Sequence, residues 1–361
     1  MRGTFEVISK IPLYQSFREF GYPKMLPENY TFLISTICNS RCATCNIWKQ
    51  KHNDLTLAEW KKVFRSIGKS PFWVTISGGE PFIQEHLADM VIAIDRICKP
   101  TIINIPTNSL LVEKINTQVI KILKNIKTPK FIVNLSLDGV GKVHDKVRGV
   151  PGNFEKVMEN YKNLKYIQKK YPNFSIGFGT VVSNYNLKDV KKVIDLVFKL
   201  EPDQYLTEIA EERVELDTVG QILTPSYKEY SKAVNYLLIK MQARKFRGIG
   251  KVSRAFRFEY YQFVKDWLRG KKLIPDYAGF ASCEVTSFGE VWPSCIKGEN
   301  MGNIRNANYD FSKVWFSDEA KRIRKDIKKY GSSYPLANAF YSSSLHHYQT
   351  LIKVLWKILI P

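Results

Sequence analysis

The chain has 361 residues, 44% of them apolar, and a formal net charge of +21. That length exceeds one comfortable core, so one large domain plus an appendage is expected, with ample apolar material to fill it. Six cysteines in so long a chain, three of them within eight residues, argue against a disulfide framework and for metal-binding thiolates in a reducing cytoplasm.

No stretch reaches about 18 uninterrupted apolar residues, which argues against a spanning helix. Residues 1–30 mix charges with aromatics and show no apolar run before a small-residue cleavage site, so no signal peptide is expected. The positive charge admits nucleic acid, an anionic membrane face, an acidic substrate or a plain lysine-rich surface. The lysines are spread along the whole chain, so charge alone decides nothing.

From Tyr30 to about Ala210, short β-branched runs alternate with helical periodicities. Strands are predicted at Tyr30–Ile37, Phe72–Ser77, Thr101–Pro106, Phe131–Leu137, Ser175–Val182 and Gln204–Ile209. Helices are predicted at Leu57–Ile67, Leu87–Cys98, Val112–Lys124, Phe154–Lys170 and Leu187–Leu200. Thr56 with Glu59 reads as a capping box for the first helix, and Asn153 as a cap for the fourth. Strands apolar almost throughout predict a parallel sheet buried on both faces. Six βα units suit a complete or partial barrel, with ligands at the carboxyl ends of its strands.

After about residue 215 the rhythm changes. Helices are predicted at Tyr227–Ala243 and Arg254–Leu268, then a hairpin in residues 281–295 around Phe288 and Gly289, then a charged helix over Asp310–Lys329. In the closing segment, Leu351, Ile352, Val354, Leu355, Ile358 and Leu359 fall on an arc of about 160° of a helical wheel, opposite Lys353 and Lys357. Such a helix either docks on the protein's own surface or lies on anionic lipid, with Trp356 at its rim.

Four segments follow strand ends: the loop carrying Cys38, Cys42 and Cys45, then SGGEP (77–81), TNS (107–109) and SLDG (136–139). Placement at one edge of one sheet is what a single site would give. Three thiolates suit zinc or iron–sulfur clusters. Structural zinc prefers four closed ligands, and no second pair lies near: Cys98 falls inside a predicted helix, His52 in a lysine-rich loop and His86 farther on. A [4Fe–4S] cluster usually takes four cysteines, so three leave one position for something that is not protein. Gly78 and Gly79 would let a ligand lie against bare main chain, Glu80 could accept from a cationic amine, and Pro81 fixes the turn.

The CxxxCxxC segment, GGEP after the next strand and SLDGVGKVHDKVRG (136–149) together resemble the radical S-adenosylmethionine (radical SAM) enzymes over residues 28–215. The resemblance implies an α/β fold, a partial (β/α)6 TIM-like barrel with a smaller C-terminal α+β extension. It implies cluster ligands at Cys38, Cys42 and Cys45, and S-adenosyl-L-methionine on the vacant iron. It implies cofactor contacts from Gly78, Gly79, Glu80 and Pro81, with Asn108 and Ser136 near the ribose and carboxylate. Arg148 would pair with the cofactor carboxylate or form a surface salt bridge; Arg213 is a further candidate. The implied chemistry is an oxidoreductase or transferase reaction: reductive cleavage by a low-potential donor of flavodoxin or ferredoxin type, giving a 5′-deoxyadenosyl radical that takes a substrate hydrogen.

Cys283 and Cys295 resemble remnants of a SPASM/twitch-like extension, which binds auxiliary iron–sulfur clusters in related enzymes. Here KKYGSSYPLANAF (328–340) holds no thiol, and Asp276 stands where a cysteine is expected. Either Asp276 completes a second cluster or that site has decayed; decay is the favoured reading. Expected boundaries are an N-terminal segment 1–27, the core 28–215, the extension 216–345 and the amphipathic helix 346–361. Peptide or protein modification is the leading function, and a membrane lipid or isoprenoid substrate the alternative. A zinc-binding structural protein is the non-enzymatic rival, and no reading motif for nucleic acid is visible. The expected location is the cytoplasm, with peripheral membrane contact through the last helix as the alternative.

Overall fold

The computed structural model describes residues 4–50, 53–244 and 249–359. It opens with α1 (Thr4–Phe20), a helix the sequence reading did not anticipate. The barrel units follow: β1 (Asn29–Leu33), α2 (Leu57–Ile67), β2 (Trp73–Ser77), α3 (Leu87–Cys98), β3 (Ile102–Thr107), α4 (Val112–Asn125) and β4 (Lys130–Ser136). After α5 (Lys142–Arg148) and α6 (Asn153–Gln168) come β5 (Phe174–Val182), α7 (Val190–Leu200) and β6 (Gln204–Ile209). Each of these six strands runs parallel to its predecessor, the order expected of a barrel wound in one direction.

The strands differ from expectation in one respect. In β2, β3 and β6 fully buried residues alternate with half-buried ones. Val74, Ile76, Ile103 and Ile105 meet the helices, which pack around the sheet as neighbours. Thr75, Asn104 and Glu208 take the other, half-buried face, the inside of the barrel. Asn134 joins them there, donating to Asn104 at 2.6 Å. The strand order does not return β8 to β6, so this sheet is not a closed barrel, whose interior apolar side chains would fill.

The α6 cap also differs. Gly152 precedes α6 in the left-handed conformation, and the Asp145 carboxylate accepts from the backbone of Gly152 (2.7 Å) and Phe154 (2.8 Å). Asn153 is buried instead, donating to the Asn108 carbonyl at 2.8 Å.

Beyond β6 come α8 (Tyr227–Ala243) and α9 (Ile249–Trp267), then β7 (Ser282–Val285) and β8 (Val291–Trp292), an antiparallel pair as the hairpin reading requires. The hairpin joins the barrel: β7 pairs parallel with β1, giving one sheet ordered β6-β5-β4-β3-β2-β1-β7-β8. The sheet thus continues across the boundary expected near 215. The chain leaving β6 reaches that far edge, where Val214 donates to the Ile296 carbonyl at 3.0 Å and Glu215 to that of Cys295 at 3.2 Å.

The charged stretch expected as one helix is two, α10 (Phe311–Trp315) and α11 (Asp318–Tyr330), because the Ser317 hydroxyl caps a new helix by accepting from the Ala320 amide. Last come α12 (Ala337–Leu345) and α13 (Tyr348–Leu359). α13 packs on α9 through buried Val354 and a Lys357–Glu259 ion pair. It leaves Ile352, Leu355, Trp356 and Leu359 exposed, so the apolar arc is divided between protein and surface. No helix of the described residues is long and apolar enough to cross a membrane.

Candidate functional site

The cysteine loop leaves β1 and is tied down on two sides. Arg41 and Ala43 donate to the carbonyls of Arg148 (3.1 Å) and Val147 (2.8 Å) in α5, and Asn46 donates to that of Leu216 (2.8 Å). Cys38, Cys42 and Cys45 are free and half-buried. Burial pushes all three thiols up, Cys45 to about 12, and neighbouring thiols push each of Cys38 and Cys45 further. The Arg148 guanidinium acts oppositely on Cys38 and Cys42. The sulfurs therefore share one electrostatic environment, at the carboxyl edge of the sheet.

Arg148 is no surface salt bridge. Its Nη1 donates to Asp138 Oδ2 at 3.1 Å, with the two side chains only 15% and 3% exposed. Asp138, the acid of SLDG, also accepts from the Val181 amide at 2.8 Å.

The GGEP turn lies on the cysteine loop itself. Gly79 donates to the Ser35 carbonyl at 2.8 Å and Glu80 to that of Ile37 at 2.9 Å. Gly78 has φ +140°, and a Cβ there would sit 2.3 Å from the Ser35 oxygen; one on Gly79 would sit 2.2 Å from the Ile37 oxygen. On the side where a Cβ would stand, the glycines allow close approach of chain to chain.

Glu80 is buried. Its Oε1 accepts from the Phe82 amide (3.1 Å) and Thr107 Oγ1 (2.9 Å), and its Oε2 from the Asn108 amide (2.7 Å). The expected amine acceptor is thus first a tie between the ends of β2 and β3, with about one of four lone-pair sites left over. Pro81 opens a short 3₁₀ turn, Pro81–Ile83. The buried Asn108 side chain donates to Asn39 Oδ1 at 2.7 Å and approaches Cys38 Sγ at 3.8 Å. Ser136 ends β4, half-buried on the same edge.

The sequence reading missed His144. It is buried, its Nδ1 taking the Asp138 amide and its Nε2 meeting Asn153 Oδ1, both at 3.1 Å. Asn153 continues to the Asn108 carbonyl, so α5, α6 and the TNS turn brace one another beneath the thiols. The signal lay in HDKVRG, within the family-like segment.

Other candidates lie elsewhere. Arg213 is buried against Glu211, with its Nη1 3.7 Å from Glu215 Oε2. Cys283 and Cys295 are not brought together. Cys283 is in register with Tyr30 on the helix-facing side of the sheet. Cys295 sits with Glu215 and Glu284. Asp276 accepts from the amides of Ser332, Ser333 and Ala278 and from Ser333 Oγ, all at 2.7–2.9 Å, which fills its acceptor sites within the chain. Cys98 is a core residue of α3 and His86 precedes that helix, while His52 lies outside the described residues.

The residues at the thiols fit an iron–sulfur cluster. Among the described residues, donors gathered within 4.8 Å of one another, close enough for a single ion, occur at Glu215, Glu284 and Cys295 and not at the three cysteines. Sulfurs on one tetrahedral zinc would stand only about 4 Å apart. Wider spacing suits three corners of a larger group. The buried Arg148 Nε has no partner and lies beside Cys42, ready to donate to an anion.

Residues 32–197 match the family model described as Radical SAM superfamily. The sporulation killing factor maturation protein SkfB of Bacillus subtilis (strain 168) is 22% identical over 47% of this chain and 39% of its own length. The AdoMet-dependent heme synthase of Methanosarcina barkeri (strain Fusaro / DSM 804) is 25% identical over 83% of this chain and 85% of that protein. The chain spans less than half the length of the first curated relatives it matches. Among solved structures, Streptococcus suis SuiB bound to S-adenosylmethionine superposes with TM-score 0.61 at 18% identity, covering 86% of this chain and 70% of that one. Native anSMEcpe with bound AdoMet and Cp18Cys peptide gives 0.60 at 15%, covering 92% and 97%. The fold is shared from the barrel into the extension.

Proposed function

We propose that this chain, whose residues 32–197 make up a radical SAM domain, is a radical SAM enzyme that modifies a peptide or protein. One observation carries the reading: three free thiols share the carboxyl edge of the sheet, walled by the GGEP turn, Asn108 and Arg148. Cys38, Cys42 and Cys45 would hold a [4Fe–4S] cluster, leaving an iron for S-adenosyl-L-methionine. That pair supplies reductive carbon–sulfur cleavage and, from it, a radical able to take an unactivated hydrogen.

The chain's part is placement. Glu80 fixes the ends of β2 and β3, the His144–Asn153 pair ties the SLDG segment to the TNS turn, and Arg148 offsets negative charge gathered at the sulfurs. An electron donor of flavodoxin or ferredoxin type would serve it. The names of SkfB, a maturation protein, and of SuiB bound to its precursor peptide SuiA support a peptide substrate.

After anaerobic reconstitution with iron and sulfide, dithionite and S-adenosylmethionine should yield 5′-deoxyadenosine, with a mass change in a peptide encoded beside the gene. Absence of 5′-deoxyadenosine from a brown, iron-loaded protein overturns the enzymatic reading.

The exposed face of α13 favours a second reading, a membrane lipid or isoprenoid substrate reached from a peripheral position. Ile352, Leu355, Trp356 and Leu359 should then carry the chain down with phosphatidylglycerol vesicles, and Trp356→Glu should release it. Equal pelleting of both proteins removes α13 as the contact.

A further inference from the structure

A second group of donors borders the cysteine loop, with Glu215 close enough to act on Cys45, and has no role in the reading above. β7 places Cys283 against the helices and Glu284 on the opposite face, in register with Thr31 of β1 and so toward the barrel interior. Cys295 follows β8, and Glu215 arrives from the segment that crosses from β6, held there by the hydrogen bond its backbone N–H donates to the Cys295 carbonyl at 3.2 Å. One donor atom from each of Glu215, Glu284 and Cys295 lies within 4.8 Å of the other two. The three residues are buried, Glu284 and Cys295 to 4% exposure and Glu215 to 6%.

The cation beside the group is Arg213, which pairs with Glu211 and forms a longer ion pair with Glu215 at 3.7 Å. Glu284 Oε1 is buried without a hydrogen-bond partner, although its carboxylate belongs to the cluster. A buried carboxylate oxygen without a hydrogen-bond partner is unfavourable, and a proton or a metal would relieve it.

We propose that Glu215, Glu284 and Cys295 form a mononuclear site for a zinc-like divalent cation, with a fourth position open toward the barrel interior. One thiolate and two carboxylates make a borderline-soft set of three, which suits zinc(II) or iron(II) with an exchangeable fourth ligand. Calcium and magnesium prefer oxygen ligands alone. Cys283 faces the other side of the sheet and Asp276 is saturated, so neither joins this set. Binding displaces the thiol proton, and any carboxyl proton, to solvent. A metal there could hold a polar atom of a substrate lying in the barrel.

The test is independent of radical chemistry. A chain with Cys38, Cys42 and Cys45 all replaced by alanine, shown to be folded by circular dichroism, is loaded with zinc and dialysed. It should retain about one equivalent, and adding Cys295→Ser and Glu284→Gln should cut this at least fivefold. Cobalt(II) in the triple variant should give a thiolate-to-metal charge-transfer band that Cys295→Ser abolishes. A folded triple variant that retains no zinc, or zinc and cobalt binding indifferent to Cys295 and Glu284, overturns the site. If the triple variant aggregates, zinc retained by the cluster-reconstituted wild type is compared with that of Cys295→Ser and Glu284→Gln. Loss of one equivalent in both variants supports the site, and unchanged zinc refutes it. Loss of 5′-deoxyadenosine formation alone would bear only on the radical reading.

Discussion

Cys42→Ala is expected to purify as a folded, colourless protein that forms at least about 100-fold less 5′-deoxyadenosine than the wild type. Cys42 lies between the other two thiols and beside Arg148, so its loss leaves two sulfurs that cannot hold a cubane. The loop should survive, because its ties to α5 and to Leu216 are backbone bonds from Arg41, Ala43 and Asn46 that alanine retains. Iron analysis should fall from about four per chain toward zero, and the same is expected of Cys38→Ala and Cys45→Ala. Cys98→Ala should keep its iron and lose only stability, since that thiol is buried in the core and approaches the Phe64 carbonyl at 3.6 Å. Full iron in Cys42→Ala would place the cluster elsewhere.

Gly78→Ala is expected to destabilise the chain by about 2–5 kcal/mol and to lower cluster occupancy with it. Two effects add. The φ of +140° is strained for any side chain, and the new Cβ would stand 2.3 Å from a backbone oxygen, Ser35 O, which cannot rotate away. Relief requires the GGEP turn to lift off the start of the cysteine loop. That breaks the bonds from Gly79 and Glu80 to Ser35 and Ile37, and with them the alignment of the loop on the edge of the sheet. Gly179→Ala is the control: a Cβ there meets nothing within 4 Å, and its melting temperature should scarcely move. Equal melting of Gly78→Ala and wild type, with full iron, would show that close contact at this turn is dispensable.

Much of this is local chemistry, and local chemistry is legible. The βα alternation, the capping box at Thr56, the hairpin at Gly289 and the spacing of Cys38, Cys42 and Cys45 each depend on residues a few positions apart. The reading strained where one segment serves a distant one. Asn153 has the chemistry of a cap but is drawn inward to Asn108 and His144, and Asp145 supplies the cap. Sequence likewise does not show that Ser35 and Ile37 stand where a Cβ on Gly78 or Gly79 would fall.

The fold class, the strands and helices of the barrel, and the spacing of the three thiols are legible in the sequence alone. Each follows from periodicity or short spacing, which backbone geometry converts directly into shape. Only the tertiary structure decided that β7 extends the barrel sheet beside β1, that Arg148 is buried against Asp138, and that Cys295 keeps company with Glu215 and Glu284 while Cys283 faces the helices. These outcomes rest on pairings between segments far apart in the chain. A slip of one residue in the register of β7 would exchange Cys283 for Glu284 at the barrel interior, and no local pattern around either residue records which of the two faces in.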